Sequence, residues 1–164
     1  MPLEIFLWIE SHAAGIQALF VSLSAVSALY IYWSNCRSQR RFALLTVLVK
    51  KQDDGTISAV SKRVRDLYNK NGRSLKAFVN NDDDNRRDIL TLANHYELMA
   101  IAVHKGAFDE ETYKSMEYTT VIRNWNILKD FIEESRTQHG NQTWFQDFEK
   151  LAKRWKDKPL KTVR

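Results

Sequence analysis

The sequence predicts an all-α chain: one N-terminal transmembrane helix that continues into a small helical-bundle domain on the cytosolic side. Three observations predict it. Along most of the chain apolar residues recur at steps of three and four, the spacing of a helix face rather than the alternation of a strand. Five Gly and two Pro in 164 residues leave few breakers, against average usage of about 7% and 5%. Residues 13–33 contain no charged side chain at all.

That uncharged stretch makes a helix of about 31 Å, matched to a hydrocarbon core of about 30 Å. Tyr30, Tyr32 and Trp33 crowd its end, and Phe6 and Trp8 precede its start, as amphipathic rings do at headgroup level. A buried core helix seldom stays uncharged for so long. A cleaved signal peptide needs a basic start and small residues before the cut, whereas the first 33 residues hold no Lys or Arg and end in Tyr-Ile-Tyr-Trp. Glu4 and Glu10 come before the span, and Arg37, Arg40, Arg41, Lys50 and Lys51 follow it. Basic residues stay cytoplasmic, so a single-pass protein of the inner or plasma membrane is expected, N-terminus outside. Residues 1–12 are then the non-cytosolic segment, 13–33 the span, 34–158 the cytosolic domain and 159–164 a basic tail. Ala14, Ala18 and Ser22, followed by Ala25 and Ser27, offer a small-residue face for a homodimer. Cys36 rules out an intramolecular disulfide and stands where acylation is conceivable.

Beyond the span, Phe42, Leu44, Leu45, Leu48 and Val49 carry the first helix on to Asp53-Asp54-Gly55. Ile57, Val60, Val64, Leu67 and Tyr68 predict a second helix, stopped by Gly72. Asp82, Asp83 and Asp84 put acidic charge at the start of a third, striped by Ile89, Ala93, Tyr96, Ala100 and Val103 and stopped at Gly106. Asp109 caps a fourth, in which Tyr113, Met116, Val121, Trp125, Leu128, Phe131 and Ile132 lead to Gly140, with a break expected near Thr119 and Thr120. Trp144, Phe148, Leu151 and Trp155 make a fifth, before Pro159.

No catalytic, cofactor or metal motif emerges. His95 and His104 are nine positions apart and fall on opposite faces of one helix, and His139 has no ligand pattern around it. The Asp82–Asp84 run lacks the glycine and spacing of a calcium loop. There is no phosphate-cradling Gly-rich loop and no nucleophile turn.

Charge is the remaining signal. All 25 Lys and Arg, but 18 of the 20 acidic residues, lie after residue 33, a formal +7. Lys150, Lys153, Arg154, Lys156, Lys158 and Lys161 concentrate it around the last helix. Anionic lipid is the nearest polyanion for them. Nucleic acid, which basic and aromatic surfaces also bind, is the less favoured partner, and simple solvation of a core helix accounts for the same pattern.

From residue 89 to 155 run Ile-Leu-x-Leu-Ala, Glu97, Ala100 to Val103, Gly106, Asp109-Glu110, Arg123-x-Trp125, Phe131-Ile132 and Phe148-Glu149-x-Leu-Ala-x-x-Trp155. This resembles a family of small bacterial and phage proteins known as a domain of unknown function. The resemblance implies an N-terminal membrane helix, a helical domain and a bacterial or phage origin, and by analogy a role in phage exclusion or host defence. It singles out Glu97, Gly106, Asp109, Arg123 and Trp125 as structural or interaction positions.

The expected function is a membrane-tethered, non-enzymatic interaction protein whose partners are the bilayer and a membrane or cytosolic protein. The alternative is a membrane-tethered hydrolase or nuclease using Glu97, His104 or Arg123. Glu97 and Arg123 are further expected to face each other across the third and fourth helices, as a structural ion pair.

Overall fold

The computed structural model of the chain describes residues 2–80 and 83–160, with side chains at 12–15, 17–50, 55–80 and 83–160. Phe6, Trp8 and Lys51 as side chains, and Asp82 and Lys161 altogether, lie outside the described residues. Five helices follow in order: α1 (Pro2–Asp54), α2 (Thr56–Lys70), α3 (Asp84–His104), α4 (Glu110–His139) and α5 (Gln146–Asp157), with a 3-10 turn at Lys76–Phe78. There is no strand among the described residues. The chain divides into two compact units, Met1–Gln39 and Arg40–Arg164.

In the first unit every described side chain from residue 12 to residue 35 is exposed, Leu19 at 72% and Trp33 at 61%. The helix is long and apolar enough, by length and composition, to cross a membrane. Two of its serines bond back within the helix: Ser24 Oγ donates to the Phe20 carbonyl and Ser27 Oγ to that of Leu23, each at 2.8 Å. Arg37 lies over the Trp33 ring at 5.9 Å, a cation–π contact at the end of the apolar stretch.

The second unit is a helical bundle with one core. The seam that α1 contributes is Leu44 and Leu48, both buried, whereas Phe42, Leu45 and Val49 are exposed. α3 packs against both α2 and α5, and α4 against α5. Phe148 is the hub of the aromatic core: Tyr96 stacks on it at 5.1 Å and Trp125 meets it edge-on at 5.2 Å. Trp155 lies 5.4 Å from Tyr113. The turn at Lys76–Phe78 fills one side with Leu75, Phe78 and Val79, all buried, and Arg86 Nε donates to the Val79 carbonyl at 3.0 Å.

The helix ends follow their residues. Gly106, at φ 70°, closes α3 through two turn bonds, Gly106 N to Val103 O and Ala107 N to Ala102 O, a Schellman motif. Asp109 caps α4 by accepting from Thr112 N at 3.0 Å and Thr112 Oγ1 at 2.6 Å, and Arg41 of α1 reaches it at 3.6 Å. Asp83 caps α3, and the Arg86 amide that it accepts holds its carboxyl below the usual range. Two expectations are corrected. α4 runs unbroken through Thr119 and Thr120, because two β-branched residues weaken a helix by only tenths of a kcal/mol each. Met116 is 54% exposed rather than part of the core stripe.

Candidate functional site

Two side chains singled out for chemistry, Glu97 and His104, hold α5 in place instead, together with Arg136. α5 starts at Phe145 in the left-handed region, φ 54°, with no side-chain cap of its own, so its first amides need acceptors. Glu97 of α3 supplies them: Oε2 accepts from Phe148 N at 2.8 Å and Oε1 from Asp147 N at 3.3 Å. One turn pair along the same α3 face, His104 Nδ1 meets Asp147 Oδ1 at 2.7 Å. From α4, Arg136 places Nε and Nη2 on the Trp144 carbonyl at 2.8 and 2.6 Å and Nη1 on Glu149 at 2.6 Å. Burial pushes the Glu149 carboxyl up, but hydrogen bonds from Lys153 and Arg136 outweigh it and hold the group below its ordinary value.

The expected Glu97–Arg123 pair does not form. Glu97 lies among Leu90, Asn94 and Phe145, while Arg123 lines clefts on the α2–α4 side. Matching distances from a turn decide how far along two helices residues lie, but azimuth decides which way they face. Glu97 is one residue, or about 100°, round from Tyr96, and it is Tyr96 that shares a cleft with Arg123. Trp125 is a core residue at 5% exposure, and Gly106 and Asp109 build the α3–α4 turn.

Two adjoining clefts in the Arg40–Arg164 unit are the candidate site. One, of about 390 Å³, has an apolar wall of Leu45, Leu48, Val49, Ile57 and Met116, and polar groups from Ser58, Ser61, Tyr96, Glu117 and Thr120. Its floor is a buried network in which Asn124 Nδ2 donates to Tyr96 Oη at 2.8 Å and to the Thr120 carbonyl at 2.8 Å, and Ser61 Oγ donates to Asn124 Oδ1 at 3.4 Å. Burial, with Glu117 nearby, pushes the Tyr96 phenol well up, so it stays protonated. The other cleft, of about 500 Å³, is bounded by Arg65, Tyr68, Asn69 and Arg73 on one side and Tyr118, Thr119, Ile122, Arg123, Asn126 and Ile127 on the other. Arg65 and Arg123 line both. Of these residues only Arg123 stands out from motif reading. The signal for the rest is two helical stripes at steps of three and four, Arg65, Tyr68 and Asn69 in one, and Tyr118, Thr119, Ile122, Arg123 and Asn126 in the other.

The basic residues around α5 are partly committed. Lys153 pairs with Glu149 at 2.6 Å, Arg154 with Glu110 at 3.0 Å, and Lys156 donates to Asn126 at 2.7 Å. Lys150 and Lys158 are exposed, and Trp155 is 1% exposed, inside the core. No group of His, Cys, Asp and Glu among the described residues is arranged to hold a metal ion.

Residues 18–155 match the family model described as "Domain of unknown function (DUF4760)". No curated protein and no solved structure matches the chain.

Proposed function

We propose that this chain, which belongs to the DUF4760 family, is a single-pass membrane protein that presents a helical binding domain to the cytosol and acts by contact rather than catalysis. The observation that carries the reading is the exposure of every described side chain of α1 from residue 12 to residue 35. Ten large apolar side chains between Leu19 and Trp33 are more than half exposed, and moving them from water into hydrocarbon stabilises the protein by on the order of 15 kcal/mol. The flanking charge sets the N-terminus outside and the Arg40–Arg164 unit in the cytosol of an inner or plasma membrane. Confinement to that surface raises the local concentration of the domain toward a membrane or cytosolic protein partner. Ala14, Ala18 and Ser22 suit a second copy as one such partner. By analogy with the bacterial and phage proteins it resembles, the setting proposed is phage exclusion or host defence.

Extraction of membranes with alkaline carbonate tests the anchor: the protein stays in the pellet if α1 spans the bilayer, and release into the supernatant contradicts it. One observation favours the rival hydrolase, since His104 Nε2 is buried without a hydrogen-bond partner next to the Asp147 contact. Glu97 is committed to the α5 amides and Arg123 lies in other clefts, so neither joins it. Hydrolysis of RNA, DNA or nucleotides by the purified protein, abolished by His104→Ala, would establish the rival.

A further inference from the structure

We infer that the cleft between α2 and α4 binds a nucleotide, with Arg65, Arg73 and Arg123 on its phosphates. The cleft is lined by three arginines and no carboxylate. None of the three forms an ion pair with any described residue, whereas Arg63, Arg87, Arg136 and Arg154 in the same unit all do. Guanidinium groups converging on a concave surface raise its potential and attract anions, and the carboxylate that shares a cleft with Arg65 and Arg123, Glu117, lines the adjoining cleft rather than this one. Their planar forks suit phosphate oxygens, which they bind in pairs. Arg73 is held toward this cleft in a conformation that a side-chain-bearing residue rarely takes, φ 62°, directly after Gly72 at φ 64°.

The rest of the lining selects among phosphate-bearing ligands. Tyr68, Tyr118, Ile122 and Ile127 form the more covered, apolar floor of the lining, with the Tyr118 ring stacked on Trp155 behind it, and the exposed Asn69 and Asn126 stand at its rim. Asn126 uses its carbonyl oxygen for Lys156, which leaves its amide hydrogens to donate. A planar heterocycle fits a floor of rings bordered by amides, whereas an acyl chain calls for a wall without donors. The volume, about 500 Å³, falls in the range of small-molecule sites, roughly 300–1,000 Å³. This inference is independent of the membrane anchor, since the cleft belongs wholly to the Arg40–Arg164 unit.

The test is a fluorescence titration of the full-length protein in detergent with N-methylanthraniloyl-ATP, competed by ATP, GTP and inorganic tripolyphosphate. The expected result is saturable binding in which ATP or GTP competes at least about tenfold better than tripolyphosphate. Arg65→Ala and Arg123→Ala each weaken it about tenfold or more, the effect of losing a charge-assisted hydrogen bond. Arg73→Gly gives a control for folding: glycine accepts the positive φ, so this variant melts at a higher temperature while binding more weakly. Absence of saturable binding at millimolar probe overturns the inference. So does equal competition by tripolyphosphate, which makes the cleft an anion site without a base, or unchanged affinity in the Arg65→Ala/Arg123→Ala double variant, which puts the probe elsewhere.

Discussion

The carboxylate of Glu97 on α3 accepts the backbone N–H of Phe148 on α5 at 2.8 Å, across 51 positions of sequence. It does for α5 what an N-cap side chain does for other helices, and it fixes the ring that Tyr96 and Trp125 enclose. Glu97→Ala leaves two amides without that acceptor and is expected to destabilise the protein by about 2–3 kcal/mol. Glu97→Gln keeps one oxygen and loses the charge at a helix N-terminus, for about 1 kcal/mol. Thermal unfolding followed by circular dichroism checks both, and a Glu97→Gln protein of unchanged melting temperature contradicts the capping role.

Arg73 sits in the left-handed region at φ 62°. Relief of that strain by Arg73→Gly outweighs the greater chain entropy of glycine, and a gain of about 0.5–1 kcal/mol is expected. Arg73→Ala keeps the strain and gives no such gain. Melting temperatures of the two variants, compared side by side, decide it.

The Glu149 carboxyl, held low by Lys153 and Arg136 against its burial, ties acid stability to α5. A carboxyl depressed on folding stabilises fully above its unfolded value, about 4.3, and that contribution disappears as pH falls through the lower folded value. The melting temperature is therefore expected to fall as the pH drops below about 4.3. Glu149→Gln is expected to lower the melting temperature at pH 7 and flatten this acid limb, with a loss of about 1.5–3 kcal/mol at neutral pH. An acid limb of the same steepness in Glu149→Gln argues against the assignment.

Lys150 and Lys158 remain exposed while Lys153, Arg154 and Lys156 are engaged within the domain. Attraction to anionic vesicles is then expected to come from the first two and the tail after Pro159, at about 1 kcal/mol per basic residue near the surface. Truncation after Pro159 is expected to leave the melting temperature unchanged and to weaken cosedimentation with phosphatidylserine vesicles at low salt. Binding that persists unchanged in the truncated chain or at 0.5 M salt, where screening is strong, contradicts an electrostatic contact.

Much of the fold was legible because it is written in local chemistry. Apolar steps of three and four place α2 to α5, Gly106 and Gly140 mark helix ends through positive φ, and Asp109 is a cap because its side chain reaches the third residue on. The core residues Phe148, Leu151 and Trp155 were equally visible. What depends on helix azimuth was not: Glu97 turns to α5 rather than Arg123 because the rotation of α3 between its neighbours is a tertiary outcome. The clefts were hidden for the same reason. Arg65 and Arg123 are ordinary surface arginines in sequence, and only the packing of α2 beside α4 brings them to one concavity.

Sidedness of the Arg40–Arg164 unit tests the central claim most directly. Cys36 is the sequence's single cysteine, so a Cys36→Ser background permits one reporter thiol at exposed Lys150. A membrane-impermeant maleimide applied to intact cells and to inside-out vesicles then reads its location. Labelling of Lys150→Cys in inside-out vesicles alone is the result predicted for a tethered cytosolic domain. Labelling in intact cells, or recovery of the labelled protein in the soluble fraction, would contradict it.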